Sequence, residues 1–574
     1  MQDSILFWNA IALEANRVSH SDPDKREQNG PTLSSRALAI VHLAMYDAFA
    51  GVVNNPGAFP RYLTAPPSPP PGGSARDAVA GAAYATLSVL YRAQAGFFEG
   101  QLSCFDTTNP SFVFGRTVGE TLLRLRANDM DGRSCGYRPS PNRGRHRVDP
   151  DNPGQGFDSP FYGAQTRTFA VSQRHRSAPP PFNNGAAQKY LRALRDVRAR
   201  GIRTDLMATL PTALFNRRRE PLDTLIGIYW GYDGSNRLGT PPRLYNQIIR
   251  QIAIQRGNNE GQNARLFALV NAAMGDAGIL CWEQKYCHDF WRPVVGIREH
   301  DESLGPLAPH QTVAGVNFND TDPGWLPLGA PSTNSPGVKN FTPNFPAYPS
   351  GHATFGAAAF HTARMFYGVA PNNKNNDNLA QGLTFVSDEF NGGSRDNDGT
   401  VRPRHARAFP GGLWEMILEN ATSRVFLGVH WIFDSFDFRT QDGNLLPDLS
   451  DENIGGVGLG LRIARDIFAS GNGLAPQMSP AGLNPPILTP TPGSPMPAQP
   501  AQPASVGGCA DGQNAAQPAA ASRRRTREAE TPAQEPERDL ADSGIEGQGA
   551  WPSNISGKSE DEPEGGWPSG ISEK

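Results

Sequence analysis

The chain has 574 residues, and its 53 lysines and arginines nearly balance 56 acidic residues, for a formal net charge of −3. That length admits roughly two to four domains and a large buried core, while the charge balance gives no reason to expect a nucleic-acid or anionic-membrane partner. No apolar stretch is read as approaching the ~18–20 residues of a membrane span, and five cysteines, few and odd in number, argue against a disulfide framework.

Met1-Gln2-Asp3-Ser4 lacks a basic leader region. The apolar run from Ile5 to Leu13, broken by Asn9 and soon followed by Glu14 and Arg17, reads as an amphipathic helix rather than a signal peptide. The expectation is a soluble protein, cytoplasmic or secreted by a non-classical route. Ser34 to Ala50 places Leu38, Val41, Ala44, Met45 and Ala48 at helical spacing. After a proline-rich loop, Pro66 to Pro71, Ser74 with Asp77 three residues on predicts a capped helix start. Further helices are predicted over Phe112–Arg126, Arg243–Arg256, Ala264–Asp276, His352–Tyr367 and Leu413–Phe433, and strand-like alternation is scarce. The fold class that follows is all-α: two packed helical bundles of four-helix-bundle type, with long loops supplied by 61 glycines and 52 prolines. The expected division is 1–215 for the first bundle, 216–472 for the second, and 473–574 for a disordered tail rich in Pro, Ala and Ser. That tail cannot bury enough apolar surface to offset its ordering entropy. It carries Arg523-Arg524-Arg525 and a short duplication, Trp551 to Ser556 and Trp567 to Ser572, with no partner legible for either.

Three segments carry chemistry. In the first, Lys285 and Arg292 stand six residues apart in an aromatic stretch, where buried cations are costly unless an anion meets them. In the second, Pro349-Ser350-Gly351-His352 precedes an apolar helical run. Ser350 and Gly351 therefore sit where free N–H groups and a positive dipole end favour an oxyanion, and His352 adds a titratable group. In the third, His430 and Asp434 are four apart and would share a helix face, so the carboxylate could fix the imidazole tautomer. Arg424 lies six residues before His430, about 120° away on an ideal helix, so its long side chain or a local distortion must bring both to one ligand. Together they describe a cage for a tetrahedral or trigonal-bipyramidal oxyanion, with one histidine to attack or ligate and one to move protons.

The spacing K-x6-R-P, P-S-G-H, S-R-x5-H-x3-D resembles the signature shared by vanadium haloperoxidases and type-2 phosphatidic acid phosphatases. Flanking segments such as Ile5 to Asn9, Tyr229 to Asn236, Gly239 to Arg243 and Phe345 to Tyr348 are similar to the fungal type of vanadium chloroperoxidase, over roughly residues 5–470. The resemblance implies one vanadate per chain with His430 as its single protein ligand. It implies Lys285, Arg292 and Arg424 on the vanadate oxygens, with hydrogen bonds from Ser350 and the Gly351 N–H. His352 would be the acid–base group, and Asp233 the acidic partner of Arg424. Hydrogen peroxide would bind side-on, Lys285 would polarise the resulting peroxovanadate, and halide would be oxidised to hypohalous acid that reacts with small organic acceptors. Trp282 and Phe345 match the chloroperoxidase pattern of an apolar halide pocket, so chloride as well as bromide is expected. The alternative on the same scaffold is a phosphatase in which His430 forms a phosphohistidine; the aromatic pair and the flanking segments favour the peroxidase. Zinc at Cys281, Cys287 and His288 lacks a second ligand pair. The other histidines, His20 and His146 among them, are read as structural or surface groups, and the sequon at Asn420 carries little weight without a signal peptide.

Overall fold

The structure is a computed structural model and describes residues 3–129, 137–182, 187–210, 217–299 and 320–482. Among these, the first half supplies α1 (Ser4–Ser19), α2 (Gly30–Val53), α3 (Ala75–Leu90), α4 (Ala95–Gln101), α5 (Pro110–Leu125), α6 (Tyr162–Gln165) and α7 (Ala187–Arg200). The second supplies α8 (Pro221–Tyr229), α9 (Pro241–Gln255), α10 (Glu260–His288), α11 (Pro293–Arg298), α12 (Gly351–Phe366), α13 (Gly412–Phe426) and α14 (Gly455–Ser470). Two antiparallel pairs are the named strands: β1 (Thr384–Val386) with β2 (Ala406–Ala408), and β3 (Asp437–Gln441) with β4 (Asn444–Asp448), in registers Thr384↔Ala408 and Asp437↔Asp448. The all-α class holds.

Helix starts follow local chemistry. Asp3, Ser74, Asn109 and Ser350 cap α1, α3, α5 and α12 by accepting first-turn N–H groups, and prolines open α5, α8, α9 and α11. α10 is the spine. Its 29 residues, opened by a reciprocal Asn259–Gln262 capping box, extend the expected Ala264–Asp276 helix in both directions. α10 packs against α2 on one side and α12 on another, and α12 packs in turn on α13 and α14, so the helix that starts at the Ser350 cap sits in the middle of the stack.

Three expectations need correction. α2 and α10 are long and apolar enough to cross a membrane by length and composition, contrary to the sequence reading. Yet 83% and 94% of their apolar windows are buried inside the protein, as befits core helices. The helix expected to run through Phe433 ends at Phe426. The first ten residues assigned to a disordered tail, 473–482, are folded. Ala475 is buried, Arg265 donates to the Gly473 and Leu474 carbonyls, and the Ser479 hydroxyl donates to the Val171 carbonyl at 2.5 Å. The rest of that expectation, with the arginine cluster and the duplication, lies outside the described residues.

α14 approaches α12 through glycines. A Cβ on Gly460 would stand 2.5 Å from the Thr354 carbonyl oxygen and 2.7 Å from the Ala357 Cβ. Overpacking there costs about 1–3 kcal/mol, more than the ~1 kcal/mol alanine gains over glycine in a helix. Gly460→Ala is therefore expected to lower the thermal midpoint; a raised midpoint in a thermal melt would contradict this packing.

Candidate active site

α10 delivers Trp282 and Lys285 on its last turns and stops at Asp289, whose left-handed backbone (φ 50°) breaks the helix. The chain then reverses into Arg292, which caps α11. The second segment is tied to the first by the Ala347 N–H on the Phe290 carbonyl (2.9 Å) and to the third by the Ser350 N–H on the Asp434 carbonyl (2.8 Å). Ser350 caps α12, so Gly351 and His352 occupy its first turn, where N–H groups lack intrahelical acceptors.

The third segment is not one helix. α13 ends just past Arg424, and Gly428, at φ +73°, turns the chain into the left-handed region that favours glycine. This distortion brings Arg424 and His430 to one place. His430 and Asp434 meet without sharing a helix face: His430 Nδ1 lies 2.8 Å from Asp434 Oδ2, which also accepts the Trp431 N–H at 3.0 Å.

His430 is 2% exposed and driven well below the usual histidine range, by burial first and then by Arg292, Lys285 and Arg424. A neutral imidazole that donates from Nδ1 to a carboxylate carries its lone pair on Nε2. That atom is 2.9 Å from Arg292 Nη1, a pure donor, which fixes the same assignment. His352 is set the opposite way. Its Nε2 lies 2.7 Å from the Gly231 carbonyl, so Nε2 bears the hydrogen and Nδ1 the lone pair. Burial, then Arg424, pushes His352 down to about 3.

The cations are wholly buried. Lys285 Nζ donates to the Pro346 and Ala347 carbonyls (2.9 and 3.1 Å) and stands 5.6 and 5.0 Å from the ring centroids of Trp282 and Phe345, which are 4.7 Å apart. Burial depresses Lys285 to about 7, with Arg292 and Arg424 adding repulsion, and depresses Arg292 to about 9. Arg424 makes a two-pronged pair with Asp233 at 2.7 and 2.9 Å. Arg292 Nη2 and Arg424 Nε are buried without a hydrogen-bond partner. Two orphaned N–H donors, cations pushed toward neutrality and an imidazole lone pair turned toward Arg292 together fit an oxyanion, which would satisfy the donors and restore the charges.

A cavity of about 270 Å³ is lined by Asp233, Trp282, Phe345, Gly351, His352, Arg424 and His430. Lys285, Arg292 and Ser350 are not on its lining surface. His20, read from the sequence as a structural or surface group, and Asp158 also line it. His146 is buried near the cage, and both Arg292 and Lys285 help push it well below the usual range. Nothing local in the sequence signals their place beside the site, because the three motif segments lie far from them along the chain. The Asn420 sequon is closed to modification: Asn420 is fully buried, donates to the His352 carbonyl at 2.9 Å and accepts from the Tyr245 hydroxyl at 3.0 Å.

Comparison with known proteins places the chain in a family. A family model described as the vanadium chloroperoxidase N-terminal domain matches residues 2–96, and one described as the second helical-bundle domain matches 265–441. The vanadium chloroperoxidase of Curvularia inaequalis is 36% identical over 596 residues, covering 85% of this chain and 92% of that protein. In fold, the chain is similar to the first bacterial vanadium-dependent iodoperoxidase (TM-score 0.55, 17% identity, 80% of this chain and 96% of that one). It is also similar to a holo-type bacterial vanadium-dependent chloroperoxidase (TM-score 0.50, 16% identity, 79% and 95%). With the three motif segments folded around one cavity and more than a third of positions identical to a curated relative across most of both chains, this chain belongs to the vanadium chloroperoxidase family and is a vanadium-dependent haloperoxidase.

Proposed function

We propose that the enzyme oxidises chloride and bromide with hydrogen peroxide, using one vanadate held by His430, and releases hypohalous acid to small organic acceptors. The observation that carries the reading is the Nε2 lone pair of His430, buried against Arg292 and fixed by Asp434 on the opposite side of the ring. Bound there, vanadate supplies a Lewis-acid centre that activates peroxide toward halide. Arg292 and Arg424 offer their orphaned N–H groups to the oxyanion. Lys285, with two of its three ammonium protons already on carbonyls, has one left to donate. Ser350 and the Gly351 N–H add donors at the start of α12. His352 holds and releases a proton at Nδ1, and Asp233 keeps Arg424 in place. Trp282 and Phe345 form an apolar wall beside Lys285 that strips water from the halide, which favours chloride, the more strongly hydrated of the two. We also propose that the helical core divides near 215/216, between a first and a second bundle.

Halogenation of a generic acceptor by purified protein, with peroxide and either halide, with and without vanadate, tests the reading. Vanadate-dependent turnover of both halides is expected. Turnover with bromide alone would overturn the assignment of the aromatic wall. No halide turnover, with phosphate-ester hydrolysis inhibited by vanadate, would overturn the peroxidase reading in favour of a phosphatase.

A further inference from the structure

Glu389 belongs to none of the three motif segments, yet it is fully buried one residue layer behind the site. Its Oε1 accepts from the Tyr232 N–H at 3.3 Å and lies 2.6 Å from where a Cβ on residue 231 would be. Its Oε2 accepts from the Thr333 hydroxyl at 2.6 Å and from Arg402 Nη1 at 2.5 Å, and the same Arg402 nitrogen donates to the Thr333 oxygen at 2.9 Å. The other arm of Arg402 reaches Asp396 at 3.3 Å. A buried carboxylate is unfavourable unless its oxygens are filled this way, and here it sits near a second acid, Asp233, which makes its presence more costly still.

What this group grips is a turn that chain preference alone would not hold. Tyr232 adopts φ +50°, a region a bulky aromatic residue rarely enters. The residues on either side of it deliver two contacts to the site: the Gly231 carbonyl on His352 Nε2 at 2.7 Å, and the Asp233 carboxylate on Arg424. Gly231 can come this close to Glu389 only because it has no side chain.

We propose that Glu389, clamped by Arg402 and Thr333, is a positioning residue: it locks the Gly231–Asp233 turn and thereby fixes His352 as the Nε2–H tautomer with Nδ1 free for proton transfer. The inference rests on the acid–base role proposed above for His352. Outer groups that orient a metal-binding imidazole typically matter by about 10- to 100-fold, and the lower end of that scale is expected for this proton-moving ring.

Two variants separate positioning from mere folding. Glu389→Gln keeps the shape but has only one oxygen, so it cannot accept from Tyr232 and from Arg402 together. Thr333→Val removes a single hydroxyl and leaves the carboxylate paired. The first readout is nitrogen NMR of histidine-labelled, vanadate-free protein at neutral pH, where the His352 ring is uncharged. Its signal is identified by its loss in His352→Ala. A single Nε2–H tautomer is expected in the natural protein and a mixture in Glu389→Gln, with a smaller change in Thr333→Val. The second readout is kcat for halide oxidation. Glu389→Gln is expected to lower it about tenfold in the natural background and by less than about twofold on the residual turnover of His352→Ala, since the two act through one ring. An unchanged tautomer in both variants, or the same fold-loss of kcat in both backgrounds, would overturn the proposal. The tautomer readout needs neither vanadate nor halide, so it distinguishes failure of the clamp from failure of the halide reading.

Discussion

His430→Ala is expected to abolish vanadate-dependent halide oxidation and to weaken vanadate binding by more than about 100-fold. Loss of a partner that merely orients a metal-binding imidazole already costs about 10- to 100-fold, and here the imidazole itself is removed. Among the described residues, His20 also lines the cavity, but both its ring nitrogens are engaged, with the Asn16 carbonyl (2.8 Å) and the Gly30 N–H (3.2 Å). His352 presents its Nε2 to the Gly231 carbonyl, and it belongs to a different segment. The oxyanion cage survives in the variant: Arg292 keeps the Phe345 and Val429 carbonyls, Arg424 keeps Asp233, and Lys285 keeps two carbonyls. Residual anion binding by charge alone is thus expected, without turnover. Titration of vanadate into the variant by calorimetry, beside a halogenation assay, checks both parts. An unchanged affinity would mean that the cations, not the imidazole, hold the group.

The chemistry of this site was legible in the sequence as three short segments, and its geometry was only partly so. Lys285, Arg292, Ser350, Gly351, His352, Arg424 and His430 do converge, because each segment sits at a helix end, where caps and breaks leave residue-level signals. The Ser350 cap of α12 is one such signal. The continuous helix through His430 was misread, since helical spacing continues formally across Gly428 while its positive φ ends it in fact. That same break resolves the offset between Arg424 and His430, which an ideal helix could not. α10 was read short although Asn259 and Gln262 mark its start, because the face followed, Leu266, Leu269, Val270 and Ala273, covers only its middle, while buried residues wrap the helix along its whole length. A helix buried on all sides loses the periodicity by which surface helices are found. The place of His20 and Asp158 on the cavity wall, and the grip of Glu389 on the Tyr232 turn, left no trace, because they depend on segments brought together from distant parts of the chain.

His352→Ala is expected to lower kcat by about 100- to 10,000-fold, the range in which a positioned proton-transfer group contributes, while vanadate binding falls far less than in His430→Ala. The split follows from where the two rings point. His430 Nε2 faces Arg292 inside the cage, whereas His352 is fixed from the Gly231 side and presents Nδ1 from the first turn of α12. His352 is also uncharged in the vanadate-free protein, held down to about 3 by burial and by Arg424, so its removal takes no positive charge from the cage. An anion placed beside it raises that value and lets the ring take up a proton, which a permanently charged side chain could not then release. His352→Gln, which keeps hydrogen-bonding groups in the same place but cannot give and take a proton, is therefore expected to bind vanadate and remain slow. Steady-state kinetics at saturating halide and peroxide, together with vanadate titration, separates the two effects. Loss of binding as severe as in His430→Ala would place His352 among the groups that hold the anion rather than among those that move its protons.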